Sequence, residues 1–127
     1  MAEHEFSPAD VLHDPDVVDQ VAEACISKLP ADAVLEVDEI VVTGDTAAVL
    51  VAHSIARRLE CRVTIAELDA GVLYVTPDLT QGQRVVILEG RGGNAVTLSA
   101  LRMTVERVAN VLTTCSLVGE DVADGAR

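Results

Sequence analysis

The segment from Gln83 to Met103, QRVVILEGRGGNAVTLSALRM, constrains the fold of this chain more than any other. It contains an apolar run, Val85 to Leu88, that is typical of a buried strand, and an acidic residue, Glu89, follows the run. A glycine-rich loop comes next, and an amphipathic helix begins after it. Loop amides and helix amino termini favour anions, and open α/β sheets bind ligands beyond the carboxyl ends of their strands. The segment therefore predicts an α/β fold with a candidate phosphate site at this strand end.

The composition favours an α/β domain and argues against nucleic-acid and membrane partners. The chain has 127 residues, enough for one domain, and half of them are hydrophobic, which suits Val-rich strands and Ala-rich helices. Its net charge is −12 and only Phe6 and Tyr74 are aromatic, so nucleic acid is a poor partner. No apolar stretch approaches the ~20 residues of a membrane span. Because the acidic start is also unlike a signal peptide, we expect a cytoplasmic protein.

Three widely spaced cysteines, Cys25, Cys61 and Cys115, form no C-x-x-C pair. We interpret them as small buried side chains in a reducing compartment, as is usual for free cysteines. A catalytic thiol needs a nearby base and an electropositive setting, and the local sequence supplies neither.

The periodicity predicts a single domain over residues 14–118, with residues 1–13 and 119–127 as flexible termini. A helix begins at Asp14-Pro15 and ends at Pro30, because Asp is a favoured cap and Pro a favoured first residue. Residues 31–39 form an acidic connection in this interpretation. Two further helices follow, one after the turn at 44–46 and one over about 95–108.

The strands are predicted to form a mostly parallel sheet with helices on both faces, a three-layer α/β fold. Residues 71–82 form an antiparallel excursion in this prediction. The mutually parallel strands are expected at about 40–43, 63–66, 85–89 and 111–118, with 85–89 central.

Two motifs of the chain resemble the fingerprint of the type I phosphoribosyltransferases. The family pattern consists of a strand that ends in two acidic residues, a threonine- and glycine-rich loop, and a helix. It aligns without a gap with residues 85–98, VVILEGRGGNAVTL. Residues 38–52 look like the family's aspartate-led strand, pyrophosphate loop and alanine-rich helix. The resemblance covers roughly residues 35–118. It implies the phosphoribosyltransferase fold and, for an active member, phosphoribosyl pyrophosphate as donor and Mg²⁺ as cofactor.

The chain departs from the family pattern where the family binds its donor. Gly90 replaces the second residue of the acidic pair that holds the ribose hydroxyls, and Gly93 and Asn94 replace two threonines that hold the 5′-phosphate. The interval 67–82, in the place of the family's catalytic loop, is short and contains no Lys or Arg. A departing pyrophosphate needs positive charge or Mg²⁺ around it. We therefore expect a reduced hood and catalytic loop and a degenerate donor site.

The candidate site consists of two loops and one carboxylate. The first loop either binds phosphate or ribose through amides and a hydroxyl or is only a tight turn; it comprises Gly90, Arg91, Gly92, Gly93, Asn94, Ala95 and Thr97. Within it, Arg91 is a phosphate clamp or a solvated loop residue. The second loop is a further anion site or, as we favour, an ordinary helix cap; it comprises Thr43, Gly44, Asp45 and Thr46.

Glu89 is the candidate catalytic residue, as a carboxylate for ribose or a metal, or else a polar strand end that points to water. A single carboxylate without a partner does not make a metal site, so no metal ligand set is assigned. His53 is interpreted as a partly buried helix residue rather than a base.

Two charged clusters have open interpretations. The acidic cluster is most simply a solvated loop; it comprises Glu36, Asp38 and Glu39. The basic patch either contacts an acidic partner chain, such as the amino-terminal third of a second copy, or is a solvated helix end; it comprises Arg57, Arg58 and Arg62.

We expect a divergent phosphoribosyltransferase-like protein that binds a ribose phosphate or nucleotide without the standard transfer, in a regulatory or accessory role and as a homodimer. The first alternative is an active Mg²⁺-dependent phosphoribosyltransferase, a glycosyltransferase-class enzyme whose missing positive charge comes from another subunit or from metal. The second is an interaction scaffold without a ligand.

Overall fold

Five helices and five strands make up the part of the chain that the computed structural model describes, residues 8–43, 46–69, 72–76, 79–90 and 95–117. The helices are α1 (Pro8–His13), α2 (Pro15–Lys28), α3 (Ala31–Glu36), α4 (Thr46–Leu59) and α5 (Ala95–Glu106). The strands are β1 (Glu39–Thr43), β2 (Arg62–Asp69), β3 (Val72–Thr76), β4 (Arg84–Glu89) and β5 (Asn110–Ser116).

The strands form one sheet in the order β3-β2-β1-β4-β5. Strands β1, β2, β4 and β5 are parallel, and β3 pairs antiparallel with β2. This confirms the mostly parallel sheet and its antiparallel strand. Strand β4 is interior, bonded to β1 and β5, but the middle position belongs to β1, whose five residues are all buried.

The helices lie on both faces of the sheet and confirm the three-layer architecture. Alternate residues of a strand point to opposite faces, so β1 contributes to two cores. Val42 packs in the core that holds Ala52 and the other buried apolar residues of α4. Val41 packs in the core that holds Leu101 and Val105 of α5.

Helix α2 begins as its sequence predicts. The Asp14 side chain accepts a hydrogen bond of 2.9 Å from the Asp16 backbone N–H, and Pro15 occupies the first helical position. Such a cap satisfies one of the amides that a helix start leaves unpaired.

The fold differs from the sequence prediction ahead of and after α2. Helix α1 lies before the expected domain start at residue 14, and its Val11 is only 6% exposed. Helix α3 replaces the expected acidic connection and buries Ala33. Residues 1–7 and 118–127 lie outside the described residues, so the flexible termini remain a prediction.

None of the described helices is long and apolar enough to cross a membrane. Cys25 is buried, while Cys61 and Cys115 are half-buried, and no disulfide joins them in the described part of the chain. Their positions agree with the interpretation as small apolar side chains.

Candidate functional site

The topology singles out the crevice at the carboxyl ends of β1 and β4. From these neighbouring strands the chain proceeds toward opposite edges of the sheet. Strand β1 is followed by α4 and then β2 on one side, and β4 is followed by α5 and then β5 on the other. The two helices also lie on opposite faces of the sheet. The boundary between β1 and β4 is therefore a topological switch point, where open α/β sheets bind their ligands.

The backbone holds the two strand ends side by side at this crevice. The Gly90 N–H donates a hydrogen bond of 2.8 Å to the Thr43 carbonyl oxygen, so the β1–β4 ladder continues past the end of β4. On the other side of β4, the Leu117 N–H donates to the Glu89 carbonyl oxygen at 2.9 Å. The loops that follow β1 and β4 thus leave the sheet from adjacent, fixed points.

Glu89 and Thr43 are register partners on the same face of the sheet. Both lie two residues beyond positions, Ile87 and Val41, that pack toward α5, so both side chains lie on the α5 side. Thr43 is 8% exposed and Glu89 is half-buried. Among the described residues, the crevice therefore presents one carboxylate, from the interior strand β4, beside a buried threonine.

The amino ends of two helices border the same edge. Helix α4 begins at Thr46, shortly after β1, and α5 begins at Ala95, shortly after β4. Neither has an acidic residue in its first turn, whereas α2 and α3 do. Two helix dipoles thus favour an anion at this edge.

The structure brings together part of the predicted site. Thr43, Glu89 and Gly90 meet at the crevice, and Thr46 lies at the start of α4, where its side chain is exposed. Ala95 and Thr97 belong to the first turn of α5. The remaining predicted residues lie outside the described part of the chain; they are Gly44, Asp45, Arg91, Gly92, Gly93 and Asn94.

A metal would have few protein ligands here. The described residues contain no group of three His, Cys, Asp or Glu side chains that could hold a metal ion. Mg²⁺ is commonly bound by one or two carboxylates together with phosphate oxygens of the ligand, and Glu89 fits that single-carboxylate role. An ion held in this way would neutralise phosphate charge.

Several described arginines form ion pairs away from the crevice. Arg84 pairs with Asp38 at the amino ends of β4 and β1, and Arg102 pairs with Glu106 within α5. Arg58 pairs with Glu23 at 2.8 Å, between α4 and α2. The predicted basic patch of Arg57, Arg58 and Arg62 is therefore not one solvated helix end. Arg58 pairs with Glu23 of α2, and Nε of Arg62, which begins β2, lies 3.7 Å from Oε1 of Glu39.

The acidic cluster predicted as a solvated loop contains a buried carboxylate. Glu39 is 4% exposed and accepts hydrogen bonds from Thr64 and Gln83. The interpretation of Glu39 as solvated is therefore wrong, because it begins a strand in the middle of the sheet rather than a loop. His53, in turn, is exposed on α4 rather than partly buried.

Sequence reasoning also missed a groove between α1, α2 and α4, with a volume of about 570 Å³. Leu50, His53, Ser54 and Arg57 line it. Their spacing of i, i+3, i+4 and i+7 places them on one stripe of the helix, and this spacing was a signal available in the sequence.

No protein-family model matches the sequence, and no curated protein is significantly similar to it. Solved structures are similar in fold. Adenine phosphoribosyltransferase from Thermoanaerobacter pseudethanolicus superposes with a TM-score of 0.64 at 21% identity, over 91% of this chain and 79% of that one. The Saccharomyces cerevisiae enzyme, solved with an imino-altritol bisphosphate and adenine, gives a TM-score of 0.68 at 16% identity, over 84% and 72%.

A third neighbour is the Trypanosoma brucei adenine phosphoribosyltransferase, solved with AMP, pyrophosphate and ribose 5-phosphate. It gives a TM-score of 0.62 at 13% identity, over 87% of this chain and 55% of that one. At these identities the likeness concerns the fold, and it agrees with the two motifs and with the sheet order. The chain has the fold of the type I phosphoribosyltransferases.

Proposed function

We propose that this chain binds a phosphorylated ribose or a nucleotide in the crevice between β1 and β4, without the standard phosphoribosyl transfer, in a regulatory or accessory role. The observation that carries the proposal is the switch point itself. Thr43 and Gly90 are joined there by a backbone hydrogen bond, and two helix amino ends without acidic first turns border the edge.

A single carboxylate among the described residues of the crevice supports a binding role over transfer. Glu89 is half-buried at the end of β4, and the next residue, Gly90, is buried and has no side chain to act as a second acid. Three of the described arginines, Arg84, Arg58 and Arg102, pair with Asp38, Glu23 and Glu106. Transition states that release pyrophosphate require concentrated positive charge, which these described residues do not provide.

The proposal includes Mg²⁺ as an optional companion of a polyphosphate ligand, held by Glu89 and phosphate oxygens. It also includes a cytoplasmic homodimer. Because the chain carries a net charge of −12, polyphosphates should be repelled at low salt unless a cation accompanies them.

The test is calorimetry and amide NMR with ribose 5-phosphate, nucleoside monophosphates and phosphoribosyl pyrophosphate, each with and without Mg²⁺. We expect ribose 5-phosphate or a monophosphate to shift the Gly90 amide and the amides of residues 92–95. Phosphoribosyl pyrophosphate should depend more strongly on Mg²⁺. If no ligand shifts these amides at millimolar concentration, the scaffold alternative is correct and the proposal fails.

Two variants sharpen this test. Gly93→Val should abolish binding, because the branched side chain would occupy the space of a proposed anion cradle and restrict a loop that glycine leaves free. Thr97→Val should weaken binding by roughly 1–3 kcal/mol, the usual cost of leaving a charged acceptor short of one hydrogen bond. Mg²⁺-dependent release of pyrophosphate from the donor with a purine or pyrimidine acceptor would instead establish the active-enzyme alternative.

A further inference from the structure

The carboxyl end of β5 adds a third polar side chain to the crevice. Ser116, the last residue of β5, is the register partner of Glu89, which is in turn the register partner of Thr43. Register partners in adjacent parallel strands point to the same face of a sheet. The three side chains therefore form one row across β1, β4 and β5, on the face that packs against α5 and at the edge of the candidate site.

The backbone fixes the positions of this row. The Gly90 N–H donates to the Thr43 carbonyl oxygen at 2.8 Å, and the Leu117 N–H donates to the Glu89 carbonyl oxygen at 2.9 Å, so both ladders of β4 continue past the row. The register shift between β4 and β5 lies near the amino end of β4, at Val85–Val86, and the pairing is regular from there to Ser116. Because neighbouring strands lie about 4.8 Å apart, one sugar ring can contact both Glu89 and Ser116.

The more accessible part of the row lies toward β5. Thr43 is 8% exposed, whereas Glu89 and Ser116 are both half-buried. Within the part of the chain that the structure describes, no hydrogen bond or ion pair engages the Glu89 carboxylate. A half-buried carboxylate that has lost part of its hydration is stabilised by hydrogen-bond donors, and hydroxyl groups of a ligand are such donors.

The two side chains match a pair of neighbouring sugar hydroxyls. A carboxylate accepts hydrogen bonds through both of its oxygens, and a serine hydroxyl donates one hydrogen bond and accepts others, so Ser116 can serve a ligand beside any contact with the protein. A vicinal diol offers two donors to Glu89 and an acceptor to Ser116. A phosphate group in the same place would be repelled by the carboxylate.

We propose that Ser116 and Glu89 together recognise a vicinal diol of the ligand's sugar, and that Ser116 makes the crevice select ribose over 2-deoxyribose. The inference rests on the proposed ribose-phosphate function and adds its ligand class, a phosphorylated sugar with neighbouring free hydroxyls. Gly90 has no side chain, and consecutive residues of a strand point to opposite faces. The second contact to the sugar therefore comes from across the sheet, on β5, and not from the next position along β4.

Calorimetry with ribose 5-phosphate and 2-deoxyribose 5-phosphate tests the role of Ser116. The 2-hydroxyl belongs to both pairs of neighbouring hydroxyls in the furanose ring, so its removal leaves no vicinal diol. The wild-type chain should bind ribose 5-phosphate more tightly, by roughly tenfold or more, because a hydrogen bond to a charged group is lost with the 2-hydroxyl. Ser116→Ala should weaken ribose 5-phosphate by roughly three- to tenfold and change the affinity for 2-deoxyribose 5-phosphate by less than about twofold.

Two further variants of β5 separate the hydroxyl from packing. Thr114→Val removes a hydroxyl from the same face of the same strand, beside Ile87 and two residues before the edge, and should leave both affinities unchanged. Ser116→Thr keeps the hydroxyl and should keep the preference for ribose 5-phosphate. Circular dichroism checks the folding of each variant.

Three results would overturn the proposal and leave the phosphate-binding crevice in place. They are equal binding of the two sugars by the wild-type chain, a preference for ribose 5-phosphate that survives in Ser116→Ala, and an equal loss of both affinities in that variant. Binding of neither sugar phosphate by the wild-type chain would overturn the proposed function as well, so the two failures are distinguishable.

Discussion

The Thr64 hydroxyl donates a hydrogen bond of 2.7 Å to Oε2 of Glu39, joining β2 to β1 at the amino edge of the sheet. The Gln83 side-chain amide donates to the other carboxylate oxygen at 3.0 Å, from the residue that precedes β4. Thr64 is fully buried and Glu39 is 4% exposed. A buried carboxylate is tolerated only when its oxygens are hydrogen-bonded, so this contact ties three strand starts together at the edge opposite the candidate site.

Removal of the Thr64 hydroxyl should destabilise the fold. Thr64→Val preserves the shape of the side chain but leaves a Glu39 oxygen without its donor, which should lower the free energy of unfolding by about 1–3 kcal/mol. Urea denaturation measures the change, and Thr113→Val on the half-buried edge strand β5 serves as control. Equal effects of the two substitutions would contradict a special role for the Glu39 contact.

Low pH should destabilise the fold slightly by protonating Asp38, which lies at the amino ends of the parallel strands. The backbone N–H of Arg84 and then its guanidinium hold the pKa of Asp38 below the ordinary 3.8. Since the folded-state pKa is depressed, the carboxylate contributes stability above about pH 3.8, and this contribution is lost as the pH falls through the folded-state pKa. The effect should be small because the side chain is 40% exposed.

Asp38→Asn should therefore reduce the difference in unfolding free energy between pH 7 and pH 3, as measured by urea titration at both values. Asp16→Asn, which removes an exposed carboxylate of α2, is the control and should lose as much unfolding free energy between pH 7 and pH 3 as the wild-type chain. If Asp38→Asn also loses as much as the wild type, other carboxylates cause the destabilisation at low pH.

Cys61 should react slowly at neutral pH although it is only half-buried. Burial, followed by the charges of Glu39 and Asp38, raises the pKa of its thiol to about 11. Roughly one thiol in a thousand would then be ionised at pH 8, and the thiolate is the nucleophile. Alkylation with iodoacetamide, followed for the Cys61 peptide by mass spectrometry, should accelerate up to about pH 11.

Glu39→Gln should increase the alkylation rate of Cys61 at pH 8, since one of the two charges that oppose ionisation is removed. Glu106→Gln, on α5, should leave the rate unchanged. A rate that levels off near pH 8.5 in the wild-type chain would contradict the raised pKa.

Local patterns predicted the elements that bury an uninterrupted apolar run or carry a strong cap. Strand β4 and the start of α2 are examples, because Val85–Leu88 and Asp14-Pro15 each contain their own signal. Helix α3 was missed since it has six residues, no side-chain cap at Pro30 and a single buried residue, Ala33. Its stability comes from packing rather than from local propensity.

The position of the candidate site was predictable from the sequence, whereas the hydrogen bonds of Glu39 to Thr64 and Gln83 were not. The strand–loop–helix pattern marks a carboxyl strand end wherever it occurs, and the strand order then identified which neighbouring loop shares the crevice. The partners of Glu39 lie 25 and 44 residues away in the chain. No local pattern reports such contacts, so an acidic stretch was interpreted as solvated.

Glu89→Gln should distinguish a sugar-phosphate site from a bare anion site. The substitution removes one negative charge beside Thr43 but leaves the backbone in place, since the Glu89 carbonyl oxygen is held by the Leu117 N–H. If the carboxylate binds ribose hydroxyls or Mg²⁺, affinity for ribose 5-phosphate should fall roughly tenfold or more, as expected for lost hydrogen bonds to a charged group. Affinity for inorganic phosphate should stay constant or rise, because like-charge repulsion is reduced.

Calorimetry with both ligands, with and without Mg²⁺, measures the two affinities. Glu67→Gln is the matched control, since Glu67 is an exposed carboxylate near the carboxyl end of β2, on the far side of β1 from β4. It should alter both affinities slightly and equally through the overall charge. If Glu89→Gln likewise changes the two affinities in parallel, Glu89 contacts no sugar and no cation, and the crevice binds phosphate alone.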